Sequence, residues 1–157
     1  MSWLCNILNC NKPEQEKDKD IKLLPAKEQL YHFLINTRFP KSLHNTLIAQ
    51  WIYESGHFKS DLAVRHFNFA GLKYRNEMSN YCTKVEYNAH DGIDYYCKFD
   101  SIEAFVIGYE AFMNRPVYNG VWNHLGSGID YLRFIVARGY CPSKGYIENI
   151  LKIEKTL

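Results

Sequence analysis

Apolar side chains recur at intervals of three and four residues along most of the chain, a spacing that places them on one face of a helix. The pattern predicts five helices and one shorter helical turn, over residues 27–37, 42–55, 101–113, 127–139, 144–153 and 61–67. Ser42 and Ser101 are predicted N-caps, and either Ser127 or Asp130 is predicted to start the fourth helix. Gly56 is predicted to end the second helix, because glycine readily adopts the left-handed backbone found there.

The pattern changes between residues 81 and 99, where β-prone residues replace the helical spacing. Valine, isoleucine and tyrosine residues lie on both sides of Asp91-Gly92. An Asp-Gly pair between β-prone runs strongly indicates a hairpin. The predicted fold class is therefore α+β, mostly helical, with one small β-hairpin lobe.

The first part of the chain differs in composition from the rest. Residues 11–20 carry no apolar side chain apart from a proline, which predicts a solvated segment. Residues 1–10 are mildly apolar but lack a basic stretch, and Asn6 and Asn9 interrupt them, so neither a secretory signal nor a membrane span is predicted. We predict a flexible arm over residues 1–25 and one folded domain over 26–157.

Composition narrows the classes of function without choosing one. The 157 residues include 12 Tyr, 9 Phe and 3 Trp, and such rings suit a groove that is both apolar and wet, as in sugar-binding clefts and protein interfaces. The formal net charge of +2 is too small and too mixed to favour nucleic acid. None of the five cysteines forms a C-x-x-C pair, which argues against a zinc or redox site of that type.

Cys82 and Cys97 lie on either side of the predicted hairpin turn. They either face each other across the hairpin, where an oxidising compartment would allow a bridge, or are two independent buried thiols. The sequence leaves both alternatives open.

Glu54 is the strongest candidate for chemistry. It ends an apolar helix directly before the glycine turn, among the aromatic residues Trp51, Tyr53 and Phe58. Loss of water around a carboxyl raises its pKa, and the negative end of the helix dipole acts in the same direction. A carboxyl whose pKa is near neutral can donate a proton to a glycosidic oxygen. The simpler interpretation of a lone glutamate before glycine is a solvated helix end.

Five segments argue against the interpretation of Glu54 as a solvated helix end, because they occur in the same order as the motifs of a known enzyme family. They are Glu54-Ser55-Gly56, Phe67 to Lys73, Phe99 to Phe105, Asn114 to Gly120, and Gly139 to Tyr146. Together they resemble bacterial glucosaminidases of glycoside hydrolase family 73. The resemblance implies a lysozyme-like fold and hydrolysis of the β-1,4 bond between N-acetylglucosamine and N-acetylmuramic acid, with muramidase activity as the second choice. It implies no metal or organic cofactor.

The resemblance also implies two acidic residues. Glu54 matches the general acid of the family. The second carboxylate is expected on the hairpin lobe, where Glu86 is the best match and Asp91, Asp94 and Glu77 are alternatives.

Further residues of the matched segments are expected at the cleft. Tyr118 matches a tyrosine beside the catalytic cleft of the family, and its simpler role is packing in a turn. Asn68, Phe69, Lys73 and Tyr53 are expected to bind substrate, through ring stacking on sugars or hydrogen bonds to an acetamido group.

The predicted function is hydrolysis of peptidoglycan glycan strands at the cell wall, by a monomer that binds no nucleic acid. Delivery without a signal peptide would suit a phage endolysin, a virion-associated lysin or a part of a secretion system. The alternative is a non-catalytic cell-wall-binding or structural module on the same fold.

Overall fold

The computed structural model of the chain describes residues 21–22, 24–89 and 92–157. The helices in these ranges include α1 (Ala26–Leu34), α2 (His44–Glu54), α3 (Asp61–His66), α4 (Ile102–Met113), α5 (Gly128–Ala137) and α6 (Tyr146–Glu154). Two strands, β1 (Thr83–Ala89) and β2 (Gly92–Lys98), form an antiparallel hairpin. The α+β prediction is confirmed. The predicted arm over residues 1–25 lies mostly outside the described residues, although Ile21 is buried.

Helix α2 lies in the middle of the core, with α1 and α6 packed against it. Eight of its 11 residues are buried, so the core surrounds most of the helix instead of covering a single apolar stripe. Its Trp51 ring contacts Phe105 and Tyr109 of α4 edge-on, at centroid distances of 5.0 and 5.1 Å. The element that carries Glu54 is therefore rigidly held.

Three of the predicted helix ends are confirmed. The Ser101 hydroxyl accepts a hydrogen bond from the Ala104 amide at 3.0 Å, at the start of α4. Ser127 caps α5 in the same way. Gly56 follows α2 with a φ of 57°, the left-handed conformation that ends many helices.

The prediction that Ser42 caps α2 is wrong. A 3-10 turn over Lys41–Leu43 begins directly after Pro40 and runs into α2. Ser42 therefore has a helical backbone and lies inside a turn, whereas an N-cap residue has an extended backbone and stands before one.

The hairpin is attached to the chain segment that precedes it. The amide of Tyr74 donates to the carbonyl of Tyr95 at 2.8 Å, and the amide of Cys97 donates to the carbonyl of Leu72 at 2.9 Å. These bonds fix residues 72–74 against β2. The predicted strands are confirmed, and His90 and Asp91 of the predicted turn lie outside the described residues.

Cys82 and Cys97 are free thiols that interact with each other. The interaction with Cys82, together with burial, raises the pKa of Cys97. Both cysteines are free thiols in the described structure, and a bridge between them stays a prediction. Cys5 and Cys10 lie outside the described residues.

Candidate active site

A groove of about 500 Å³ opens beside the C-terminal end of α2. Its walls come from the segment after α3, from the end of α4 with the turn that follows it, and from the segment after α5. The lining residues are Glu54, Ala70, Gly71, Leu72, Lys73, Arg75, Phe112, Arg115, Val117, Tyr118, Arg138, Gly139, Tyr140, Cys141 and Pro142. Glu54 therefore faces an open groove, as its predicted role requires.

The turn after Glu54 is unusual because three consecutive residues have a left-handed backbone. The φ angles of Gly56, His57 and Phe58 are 57°, 60° and 64°. This conformation costs a residue with a side chain about 1–2 kcal/mol. Buried Ser55 holds it in place: its hydroxyl donates to the Trp51 carbonyl at 2.6 Å and accepts from the Phe58 amide at 2.8 Å. The serine of the Glu-Ser-Gly motif thus shapes the turn beside the acid.

Burial sets the protonation of Glu54. Loss of water raises the pKa of its carboxyl to about 7, and a hydrogen bond from Tyr146 opposes part of that rise. The Tyr146 hydroxyl donates to Oε1 of Glu54 at 2.5 Å. A carboxyl with this pKa is substantially protonated near neutral pH and still ionises readily, which is what a general acid needs.

Tyr146 belongs to a buried chain of hydrogen bonds. The Gln50 side-chain amide donates to the Tyr146 hydroxyl at 3.0 Å and accepts from the Tyr109 hydroxyl at 2.9 Å. The hydroxyls of Tyr109 and Tyr131 lie 2.7 Å apart. Each member of this chain is buried and hydrogen-bonded, an arrangement that fixes the geometry of a polar group in a core. Tyr146 of α6 therefore positions the Glu54 carboxyl directly, and Gln50 of α2, Tyr109 of α4 and Tyr131 of α5 hold Tyr146 in place.

The sequence prediction gave neither Gln50 nor Tyr146 a role at the active site. Gln50 had a detectable signature: it is an amide on an apolar helix, one turn before Glu54 and so on the same face. A buried amide requires hydrogen-bond partners. Gln50 therefore indicates that this face of α2 contacts polar groups within the core.

Tyr118 lines the groove as predicted and is also well packed. Its ring contacts Phe112 at 5.7 Å and Tyr140 at 6.2 Å, and burial raises the pKa of its hydroxyl. The Tyr140 hydroxyl is buried behind this wall, where it interacts with the Tyr109 hydroxyl. The aromatic wall of the groove is thus connected to the buried chain of hydrogen bonds at Tyr109.

Glu86 does not line the groove in the described structure. It is exposed on β1 opposite Tyr95, whose hydroxyl lies 3.4 Å from its carboxylate. Asp91, one of its alternatives, lies outside the described residues. The hairpin position of Glu86 agrees with the prediction, and its role stays a prediction.

The other two candidate carboxylates are paired with cations that line the groove. Asp94 binds Lys73 at 2.6 Å, and this hydrogen bond lowers the pKa of Asp94. Glu77 lies 3.6 Å from Arg115, and a backbone hydrogen bond together with the Arg115 charge lowers the pKa of Glu77. Both carboxylates are ionised at the edge of the groove.

Three of the expected substrate-binding residues lie away from the groove lining, whereas Lys73 is part of it. Tyr53 is half-buried against the Tyr146 ring at 5.6 Å. Phe69 is buried between Phe58 and Phe105. Their positions favour packing beneath the groove, since both rings are already in contact with other rings.

Asn68 also lies beneath the groove, where its side-chain amide forms three hydrogen bonds. It donates to the carbonyls of Leu72 and Cys97 at 3.0 and 2.9 Å and accepts from the Leu72 amide at 2.8 Å. Asn68 therefore ties the groove segment to β2, and its side chain is only 1% exposed. This is an architectural position, and the expected contact of Asn68 with an acetamido group stays a prediction.

Replacing Asn68 with alanine is expected to lower the free energy of unfolding by about 2–4 kcal/mol, because buried backbone groups lose their partners. Urea unfolding followed by circular dichroism measures the change. Asn80→Ala, at an exposed turn position, is the matched control. An Asn68→Ala protein as stable as the control would contradict the architectural position.

Two structural findings bear on other classes of function. Within residues 21–22, 24–89 and 92–157, no three His, Cys, Asp or Glu side chains are grouped as metal ligands would be. The described part of the chain also contains no helix with the length and apolar character of a membrane span.

Comparison with known protein families identifies one that matches most of the chain. The model of the glucosaminidase family, described as mannosyl-glycoprotein endo-beta-N-acetylglucosaminidase, matches residues 40–157, well over half of the chain. The chain belongs to the glucosaminidase family. No curated protein sequence matches this chain.

Solved structures share the glucosaminidase fold. The glycoside hydrolase domain of FlgJ from Salmonella typhimurium has a TM-score of 0.61 at 13% identity, covering 85% of this chain and 88% of that one. A peptidoglycan hydrolase from Sphingomonas sp. A1 has a TM-score of 0.58 at 20% identity, covering 83% and 81%. The catalytic domain of the autolysin Auto from Listeria monocytogenes has a TM-score of 0.55 at 16% identity, covering 92% and 94%.

Proposed function

We propose that this glucosaminidase-family protein hydrolyses peptidoglycan glycan strands, with Glu54 as the general acid. The observation that carries the proposal is a carboxyl with a pKa of about 7 facing a groove of about 500 Å³. The family assignment and the peptidoglycan hydrolases that share the fold support the choice of substrate. We propose that it acts in the periplasm or outside the cell, as a monomer.

The proposed reaction begins with proton transfer from Glu54 to the glycosidic oxygen. The bond between that oxygen and the anomeric carbon breaks, and the sugar develops oxocarbenium character. The carboxylate left on Glu54 is stabilised by the hydroxyl of Tyr146, 2.5 Å away. Water then adds to the anomeric carbon and gives one proton to the Glu54 carboxylate, which leaves a hydroxyl group on that carbon and restores the acid.

The anomeric carbon also needs a negative or nucleophilic partner. Glu86 fills this role if the hairpin moves toward bound substrate, since its carboxylate is exposed on β1. The alternative is the acetamido oxygen of the substrate itself, which needs no second protein carboxylate.

The bond cleaved is proposed to be the one between N-acetylglucosamine and N-acetylmuramic acid. Mass spectrometry of released muropeptides after borohydride reduction tests this directly. Reduced N-acetylglucosamine ends support glucosaminidase activity, whereas reduced N-acetylmuramic ends identify a muramidase.

The rate of hydrolysis is expected to fall as pH rises through about 7, the pKa of Glu54. The sign follows because the acid works only while protonated, and raising the pH above its pKa removes the proton. Initial rates of cell-wall clearing at saturating substrate, measured from about pH 5 to 9, give the profile. A rate that stays level or rises over the alkaline half of that range would contradict Glu54 as the acid.

A further inference from the structure

Four cationic side chains line the groove that contains Glu54. They are Lys73, Arg75, Arg115 and Arg138. Among the described lining residues, Glu54 is the single acidic one, and it is partly protonated near neutral pH. The groove is therefore more cationic than the whole chain, whose formal net charge is +2.

Two of these cations already have carboxylate partners. Lys73 is bound to Asp94 at 2.6 Å, while the Arg115 Nε lies 3.6 Å from Glu77. Arg115 Nε is buried, and its interaction with Glu77 is weak at this longer distance. Lys73 is thus tightly paired, whereas Arg115 keeps the capacity to donate.

The other two cations are held by neutral groups. Arg75 donates from Nη1 to the Tyr74 carbonyl at 2.8 Å. Arg138 lies over the Phe134 ring at 3.5 Å and donates to the Phe134 carbonyl at 3.4 Å. Within the described residues, neither guanidinium forms a salt bridge, although Arg75 acts on Asp94 and Glu77 at longer range. Both residues line the groove, and neither positive charge is neutralised by a bound carboxylate among the described residues.

A cationic side chain that lines a groove can recognise an anion on the substrate. A guanidinium binds a carboxylate through parallel N–H donors, and such bonds are stronger than those between neutral groups. Glycan strands of N-acetylglucosamine alone are neutral. Peptidoglycan strands carry carboxylates on the muramoyl residues, either as the free lactyl group of strands without peptides or as the acidic groups of stem peptides.

We propose that Arg75, Arg115 and Arg138, here termed the basic wall, bind carboxylates of the muramoyl unit and so select peptidoglycan over neutral chitin. The proposal rests on the proposed function, because it assumes a glycan strand in the groove. It assigns the three arginines to substrate selection and leaves proton transfer to Glu54. Since the interaction is ionic and Arg75 and Arg138 are exposed, it weakens with added salt.

The test measures binding in the Glu54→Gln background, so that no substrate is consumed. Three insoluble materials are compared: intact peptidoglycan with stem peptides, the same material after amidase treatment, and chitin. Tighter binding to both peptidoglycan forms than to chitin, by about tenfold, is expected. The stronger of the two peptidoglycan arms identifies the source of the carboxylate. Equal affinity for all three materials would overturn the proposal.

Arg75→Gln and Arg138→Gln test the residues themselves. Each is expected to lower the ratio of peptidoglycan affinity to chitin affinity by about fivefold, as loss of a partly solvated charged contact should. Arg133→Gln, an exposed arginine on α5 outside the groove lining, is the matched control and should leave the ratio unchanged. Loss of affinity of the same size for chitin and peptidoglycan would contradict selection by charge.

The proposed function and the proposed role of the basic wall can be contradicted independently of each other. If the protein with Glu54 intact hydrolyses neither peptidoglycan nor chitin but the affinity ratios behave as expected, the proposed function fails and the basic wall is retained. If hydrolysis occurs and the ratios do not change in the arginine variants, the proposed function is retained and the basic wall is rejected.

Discussion

Glu54→Gln is expected to lower kcat for peptidoglycan hydrolysis by about 10²–10⁴-fold, the contribution of a positioned general acid. Glutamine has almost the shape of protonated glutamic acid and keeps an oxygen that accepts the Tyr146 hydrogen bond. It has no acidic proton to give to the leaving oxygen. The variant should therefore fold normally and lose the chemical step. Clearing of purified cell walls, together with release of muropeptides, measures the loss.

Two variants make the Glu54 result specific. Glu148→Gln, an exposed position on α6 outside the groove lining, is expected to retain the wild-type rate. Glu86→Gln distinguishes the two proposed partners of the anomeric carbon: a loss comparable with that of Glu54→Gln identifies Glu86, and a retained rate identifies the substrate acetamido group. Absence of clearing by the wild-type protein would instead support the non-catalytic module.

Tyr146→Phe is expected to change both the pH profile and the stability. The Tyr146 hydrogen bond lowers the pKa of Glu54 from the value that burial alone would give. Its removal raises that pKa above about 7, so the alkaline fall in rate moves to higher pH. The same change leaves the buried Gln50 amide without its acceptor, at a cost of about 1–3 kcal/mol in the free energy of unfolding.

Initial rates across pH and urea unfolding measure the two effects of Tyr146→Phe separately. Tyr81→Phe is the matched control, because Tyr81 is an exposed tyrosine outside the groove. A merely structural role for Tyr146 would lower stability without moving the alkaline fall in rate. A fall displaced to lower pH would show that the hydroxyl stabilises the protonated acid instead.

Local sequence patterns were sufficient for the elements that hold the groove together. The ends of α2, α4 and α5 were predictable at Gly56, Ser101 and Ser127, because capping depends on a few adjacent residues. Ser42 was mispredicted for a local reason too, since a turn after Pro40 competes with it. Glu54 was identifiable because the five segments that resemble glucosaminidases outweighed the simpler interpretation of a solvated helix end.

The partners of Glu54 were not predictable, because they are distant in the chain. Tyr146 follows it by 92 residues, and the hydrogen bond exists only after α6 has packed on α2. The role of Asn68 was not predictable for a different reason. Its residue type suits both a sugar contact and a buried backbone tie, and burial decides between them. The arginines of the basic wall come from three separate segments that the fold brings to one groove.

The proposed role of Glu54 depends on the pKa of its carboxyl, which carbon-13 NMR measures directly. Protein labelled at the side-chain carboxyl of glutamate is titrated, and the resonance that disappears in Glu54→Gln is assigned to Glu54. A midpoint near 7 is expected, since burial beside Tyr146 raises the pKa to about 7. A midpoint close to the ordinary glutamate value of about 4.3 would contradict the account, because the side chain would then be solvated and ionised at neutral pH.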